Sequence, residues 1–216
     1  MNGTDRCTGR LAPRMAAIGT LALMLTASSG WAQELSVTPQ NAEDTAIGVC
    51  GTCHGPDGNG INPMFPRLAG QHANYLVRQL KSFKEQTRGD PYAIAFMWGM
   101  ASGLSDETMD ALAQYYARQK AGPGKNHDAS TIARGRDVYE HGVPSQGVPA
   151  CAACHGPDAR GNDMFPRLAG QHAEYILKQL ASFQSNMRNV AIMHGVAQNL
   201  RTPEMEAVAD YLESLP

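Results

Sequence analysis

The sequence predicts an all-α fold built as two homologous units in tandem, on three observations. The segment Met-Phe-Pro-Arg-Leu-Ala-Gly-Gln-His-Ala at 64–73 recurs unchanged at 164–173, an offset of 100 residues. Such self-similarity marks a duplicated architecture. Apolar residues follow at helical spacing in both copies, Leu76, Leu80 and Phe83 in one and Ile176, Leu180 and Phe183 in the other. The motifs Cys50-Gly-Thr-Cys53-His54 and Cys151-Ala-Ala-Cys154-His155, offset by 101, have no strand-rich segment near them.

The chain begins with a segment that does not belong to either unit. Arg6, Arg10 and Arg14 precede an apolar run at 15–25, and Gly30-Trp31-Ala32 presents small residues where a signal peptidase reads. Residues 1–32 therefore read as a signal peptide cleaved after Ala32, and their isolated arginines do not suit twin-arginine export. Cys7 leaves with this segment. The whole chain carries 18 Lys+Arg and 20 Asp+Glu; without three Arg and one Asp, 15 positive and 19 negative charges remain. That excludes the strong basic excess of a nucleic-acid binder. No later apolar run reaches the roughly 18–20 residues that span a bilayer. The mature protein is expected to be exported and soluble, or at most peripheral to a membrane.

Each unit reads as helices joined by polar turns. Residues 41–49 form the helix leading to the first cysteine motif, and the loop at 55–63 is rich in Gly, Pro, Asn and Asp. A helix over 73–86 follows. The terminal helix starts at Ser105, a good N-cap with Asp106 and Glu107 in its first turn, and buries Met109, Leu112 and Tyr116. Ala121-Gly-Pro-Gly-Lys-Asn-His-Asp128 breaks helix and separates a unit at 33–121 from one at 129–216, with 122–128 as the linker. The second unit repeats the plan: a helix over 131–141, a Gly/Pro-containing insert at 142–150, and a terminal helix capped by Thr202 with Pro203 in its first position. Met205, Val208 and Leu212 are its core stripe. Each unit of about 90 residues has a marginal core by itself, which a bound prosthetic group would complete.

The cysteines identify that group. Cys-x-x-Cys-His is the attachment signature of c-type haem: one helical turn brings both thiols to the porphyrin vinyl groups and the next residue points an imidazole at iron. Disulfides do not explain a histidine after each pair. A four-cysteine zinc site wants about 15–20 residues between its halves, whereas 97 intervene here. A thioredoxin-like pair needs a βαβ context that is missing. Two covalent haems, on Cys50 and Cys53 and on Cys151 and Cys154, with His54 and His155 on the irons, are therefore expected.

The sixth ligand decides between electron transfer and ligand chemistry, and the duplication acts as a filter. The repeated methionines are Met64/Met164, Met97/Met193 and Met109/Met205. The first pair follows its histidine by only 10 and 9 residues, and the last lies on a core stripe. Met97 and Met193, expected in non-helical stretches 43 and 38 residues after the histidines, can return to the opposite haem face. Met100 has Val196 as its repeat partner. The competitor is the His72/His172 pair, otherwise read as exposed residues at helix starts; His127, His141 and His194 take surface or packing roles.

With these residues assembled, the sequence resembles the cytochrome c4 family of periplasmic dihaem cytochromes. The resemblance rests on both Cys-x-x-Cys-His-Gly motifs, both Phe-Pro-Arg-Leu-Ala-Gly-Gln blocks, Met97-Trp-Gly-Met100, Met193-His-Gly and the Leu104-Ser105-Asp106 helix start. It implies two tandem class I cytochrome c domains related by a pseudo-twofold, with facing haems. It also implies that the Pro66 and Pro166 carbonyls accept the proximal histidine N–H, tuning the ligand from outside the coordination sphere. The implied role is electron transport, taking electrons from a quinol-oxidising complex or a dehydrogenase and passing them to a terminal oxidase. A dihaem enzyme would need an open iron, which the repeated methionines oppose; a cytochrome subunit of a periplasmic dehydrogenase is the other alternative. Both halves carry a net charge of −2, so net charge marks no docking face. Differences between the copies predict two unequal potentials. The intact mass of the purified protein should correspond to a chain beginning at Gln33 plus two haems, and acid-acetone should leave the colour on the protein; a single haem, or pigment released into the solvent, refutes this reading.

Overall fold

The computed structural model describes residues 39–216; the predicted signal peptide and its cleavage point lie outside the described residues. The first helical run continues through the cysteine motif instead of stopping before it. A 3-10 turn at Pro39–Asn41 leads into α1 (Ala42–Thr45), a π-helical turn at Ala46–Cys50, and α2 (Gly51–His54). The wide turn is held by Tyr116, whose hydroxyl donates to the Ala46 carbonyl at 2.9 Å. Ala42 and Ala46 are buried, so the run packs closely on the terminal helix. Gly55, at φ 80°, then ends α2 in a conformation that a side chain would strain.

Helix α3 (Ala73–Lys84) buries Leu76 and Phe83 and stops two residues short of the expected end. Gln86 turns left-handed there, at φ 56°, and its N–H bonds the Phe83 carbonyl. The following segment corrects the sequence reading. Met97 closes a π-helical turn (Ala93–Met97) that runs into α4 (Trp98–Ser102). Its repeat partner Met193 lies within α9 (Ala191–Ala197). Neither stretch is irregular: Ala and Met favour helix, and Gly99 and Gly195 stand where a Cβ would meet nothing. Helix α5 (Asp106–Arg118) starts at Ser105, whose Oγ accepts from the Thr108 N–H at 3.2 Å.

Between α5 and α6 (Ala129–His141) the chain is extended and tied at both ends. Asn59 accepts from the Gly122 N–H at 2.7 Å and donates to the Lys120 carbonyl at 3.0 Å. Downstream, Lys125 N–H donates to the Glu213 carbonyl. Asp128 caps α6 through Ser130 and Thr131, two residues before the expected start. The insert at 142–150 folds back through a 3-10 turn at Pro144–Gln146 and a bridge between Val143 and Val148. Then come α7 (Ala152–His155), α8 (Ala173–Gln184), α9 and α10 (Thr202–Ser214). Thr202 does not cap α10: Arg201 is the N-cap, in extended conformation, and its guanidinium bonds the Glu204 carboxylate at 3.1 Å. The helix therefore starts one residue earlier and Pro203 takes its second position.

Two hydrophobic cores result. One gathers Leu76, Phe83, Met109, Leu112 and Tyr116; the other gathers Tyr139, Ile176, Met205, Val208 and Leu212. Both belong to one compact body that includes every described residue. Where α6 crosses α10, a Cβ on Gly135 would collide with the Ala207 carbonyl and the Tyr211 side chain. Backbone cannot yield as a flexible side chain would, and overpacking of this kind costs about 1–3 kcal/mol. Gly135→Ala should therefore lower the unfolding free energy by that amount, read as a lower denaturant midpoint at an unchanged slope; an unaltered midpoint would show that the crossing is loose.

Candidate functional site

Each cysteine motif occupies a single helical turn followed by a loop that closes on the histidine. In the N-terminal half, Cys50 and Cys53 are half-buried and the His54 ring is buried. The ring's Nδ1 lies 2.8 Å from the Pro66 carbonyl oxygen. In the C-terminal half, His155 is equally buried and its Nδ1 lies 3.0 Å from the Pro166 carbonyl. A carbonyl only accepts, so Nδ1 carries the proton and Nε2 is the nitrogen available to a metal. Burial lowers the pKa of both rings, which favours the neutral, ligating form. Phe65 and Phe165 set an edge against these rings at 6.0 and 5.9 Å. Phe65 also meets Phe96 at 5.4 Å, which joins the His54 side of the site to the turn ending in Met97.

The methionines separate by burial. Met109 and Met205 are sealed in the two cores, and Met164 is 76% exposed. Met97 packs half-buried against the first core, and Met193 is half-buried as well. Met100 is exposed. Two thiols one turn apart, a buried imidazole with Nε2 turned away from its carbonyl partner, and a half-buried thioether are side chains of the kind that a covalently attached haem takes.

The rival histidines have other partners. His172 is buried, not exposed: its Nε2 lies 2.7 Å from the Gly60 carbonyl of the other half, and its Nδ1 lies 3.1 Å from Glu213. His72 reaches the Arg160 carbonyl at 2.8 Å. His127 bonds the second Glu213 oxygen at 2.8 Å.

These contacts belong to a polar face between the halves whose bonds come in exchanged pairs. The side chain of Gln71 accepts from the Arg167 N–H and donates to the Arg167 carbonyl, both at 2.9 Å. Gln171 does the same to Arg67, at 2.8 and 2.9 Å. Farther along, Arg88 reaches Tyr175 and Gln179 while Arg188 reaches Tyr75 and Gln79. This exchange of partners is what a pseudo-twofold requires. The sequence reading missed Arg88 and Arg188, although applying the repeat filter to charged residues would have paired them.

The cytochrome c family model matches residues 42–118 and again 132–216. Cytochrome c4 from Thiocapsa roseopersicina is 41% identical over 183 residues, covering 82% of this chain and 92% of that one. The chain belongs to the cytochrome c4 family. The solved Acidithiobacillus ferrooxidans cytochrome c4 is 38% identical, with a TM-score of 0.74, over 77% of this chain and 98% of its own. A thiosulfate dehydrogenase electron acceptor from Thiomonas intermedia is 36% identical over 212 residues, 94% of this chain and 91% of that one. The protein is accordingly a dihaem electron carrier with two class I cytochrome c domains, and not an enzyme.

The buried charge of the face is unevenly shared. Asp90, 2% exposed, bonds Arg88 Nε at 2.6 Å, whereas Val190 stands at its repeat position. Burial alone would push the Asp90 carboxyl up, but the Arg88 guanidinium outweighs it and holds it below the usual carboxylate range. Its stabilising effect is thus complete above the ordinary aspartate pKa of about 3.9 and is lost as pH falls through the lowered folded value. Arg88→Leu strands a buried carboxylate, at a cost of about 3–5 kcal/mol near neutrality. Denaturant midpoints measured from pH 7 down to pH 3 should show this gap narrowing as the stranded acid takes up a proton; a gap independent of pH would mean that Asp90 is not the group left unpaired.

Proposed function

We propose that this carrier works in the periplasm, after removal of residues 1–32, moving electrons from a quinol-oxidising complex or a dehydrogenase toward a terminal oxidase. In this reading residues 33–121 and 129–216 are the two domains, joined by 122–128. Cys50 and Cys53 hold one haem and Cys151 and Cys154 the other, with His54 and Met97, and His155 and Met193, as axial ligands. The observation that carries the reading is the doubled His–Pro contact, which fixes two buried imidazoles identically behind two attachment turns. Among the described residues no helix is long and apolar enough to cross a membrane, which accords with a mobile or peripherally bound carrier.

Bound haem supplies a one-electron ferric–ferrous couple. The chain's part is to keep that change cheap in reorganisation. Pro66 and Pro166 hold the imidazole planes and keep each Nδ1 proton in place. Met97 and Met193, each set in a helical turn, would supply the thioethers. With an imidazole and a thioether both given to the iron, the chain would leave it no position for a substrate, and its role would be to hold the group for exchange of electrons with partners. The family likeness to an electron acceptor of thiosulfate dehydrogenase favours a periplasmic dehydrogenase as an alternative stable partner, and co-purification from the native membrane and soluble fractions distinguishes the two.

Replacing Met97 by Ala should open one iron to carbon monoxide and lower the potential of that haem, because thioether ligation favours the ferrous state. Met100→Ala should leave both sites six-coordinate. A spectroscopic redox titration reads both effects. Loss of one sulfur-to-iron charge-transfer band in the Met100 variant, with the band intact in the Met97 variant, would reverse the assignment.

A further inference from the structure

We infer that His172 and His72 are positioning residues that each domain lends to the other, holding the turn that presents the opposite domain's haem histidine. The inference rests on the ligand roles proposed for His54 and His155, and it concerns what holds those ligands in place.

In the N-terminal domain the loop after the attachment turn doubles back on it. Gly60 N–H donates to the His54 carbonyl at 2.7 Å. A Cβ on Gly60 would lie 2.8–3.0 Å from the backbone of Cys53 and His54, so Gly60 sits flat against the ligand's own main chain. The carbonyl of that glycine accepts from His172 Nε2, 112 residues along the sequence and in the other domain. The imidazole of His54 is thereby held from two sides, by Pro66 on its ring and by the Gly60 contact on its backbone.

The C-terminal domain has the same device one atom group displaced. Gly161 N–H donates to the His155 carbonyl at 2.8 Å, and His72 Nε2 bonds the carbonyl of Arg160. The Arg160 carbonyl and the Gly161 N–H belong to one peptide group. The ring of His72 thus polarises the very amide that bonds the backbone of His155, in a short chain of cooperative hydrogen bonds.

The two histidines differ in what stands behind them. Both nitrogens of the His172 ring face oxygens, Gly60 O on one side and Glu213 Oε1 on the other, so a carboxylate stands behind the ring that meets Gly60. Glu213 suits that role: burial works against its charge, but hydrogen bonds from His172 and His127 outweigh burial and hold it below the usual carboxylate range. Ala117 occupies the position equivalent to Glu213 in the first domain, and His72 has no carboxylate partner among the described residues. The clamp on the N-terminal site is therefore backed by a buried carboxylate, and the clamp on the C-terminal site is not.

A crossed pattern tests this. In the full-length dihaem protein, His172→Ala should shift the midpoint potential of the N-terminal haem and speed hydrogen exchange at the Gly60 amide. The C-terminal haem and the Gly161 amide should stay as they were. His72→Ala should do the converse, moving the C-terminal haem and the Gly161 amide alone. His172→Gln places an amide N–H near the same reach and should return both the potential and the Gly60 protection most of the way. Haem-specific NMR resonances assign each potential to its domain. If either alanine variant moves both haems together, the histidines merely hold the interface closed and the inference fails; it fails equally if Gln does not rescue. Hyperfine-shifted ring signals of His54 and His155 in the unaltered protein report ligation independently, so a wrong ligand assignment is seen there and not mistaken for failure of the clamp.

Discussion

Each domain is organised around holding one imidazole by its back nitrogen. A histidine that must offer Nε2 to iron needs an acceptor for Nδ1, and in a helical protein nearly every carbonyl is already committed to its own helix. The chain therefore needs a carbonyl that no helix claims, brought within 3 Å of a buried ring. Pro66 and Pro166 supply it. The segments around them run between helices, so their carbonyls are free to turn inward. Reaching them requires the chain to reverse sharply after His54 and His155, which is why a left-handed glycine follows each histidine at once.

The same short block does a second job. Pro66 faces its own domain, while Arg67, Gln71 and His72 face the other, and the pattern repeats at Pro166, Arg167, Gln171 and His172. One segment thus secures the buried histidine on one side and the partner domain on the other. This double duty accounts for its unchanged recurrence where the surrounding helices have diverged. The face between the domains is polar because its material is backbone amides, glutamines and arginines; its glutamine–backbone and arginine–tyrosine bonds are exchanged across the pseudo-twofold, while the buried Arg67 Nε finds no partner. The short linker, tied down by Asn59 and Glu213, keeps these counterparts in reach.

What the sequence made legible was local or repeated. The attachment motifs, the stripe of α3, the Ser105 cap and the duplication are each readable within a few residues or as a fixed offset. Three features were not. The helical setting of Met97 and Met193 was missed because the neighbouring Gly99 and Gly195 resemble helix breaks, and nothing local shows that their space is open. His172 was read as exposed because its acceptor, Gly60, is more than a hundred residues away and its backing carboxylate sits on the last helix. Arg88 and Arg188 escaped because two arginines in polar surroundings look like surface residues until the partner domain covers them.

The duplication is faithful in what holds the ligands and unfaithful in where the buried carboxylates lie. Asp90 joins the arginine pair from the first domain, with Val190 opposite; Glu213 backs His172 from the second, with Ala117 opposite. Among the described residues each domain contributes one buried acid, and the halves carry equal net charge while their local fields differ. Water screens a surface charge within about 8–10 Å, but a carboxylate that is nearly inaccessible is screened far less, and its interaction falls off only with distance and the local dielectric. Two haem sites set on either side of a pseudo-twofold must then lie at unequal distances from each acid. The inequality of the sites is in this way written into the interface, by single substitutions just outside a scaffold whose own contacts are nearly identical.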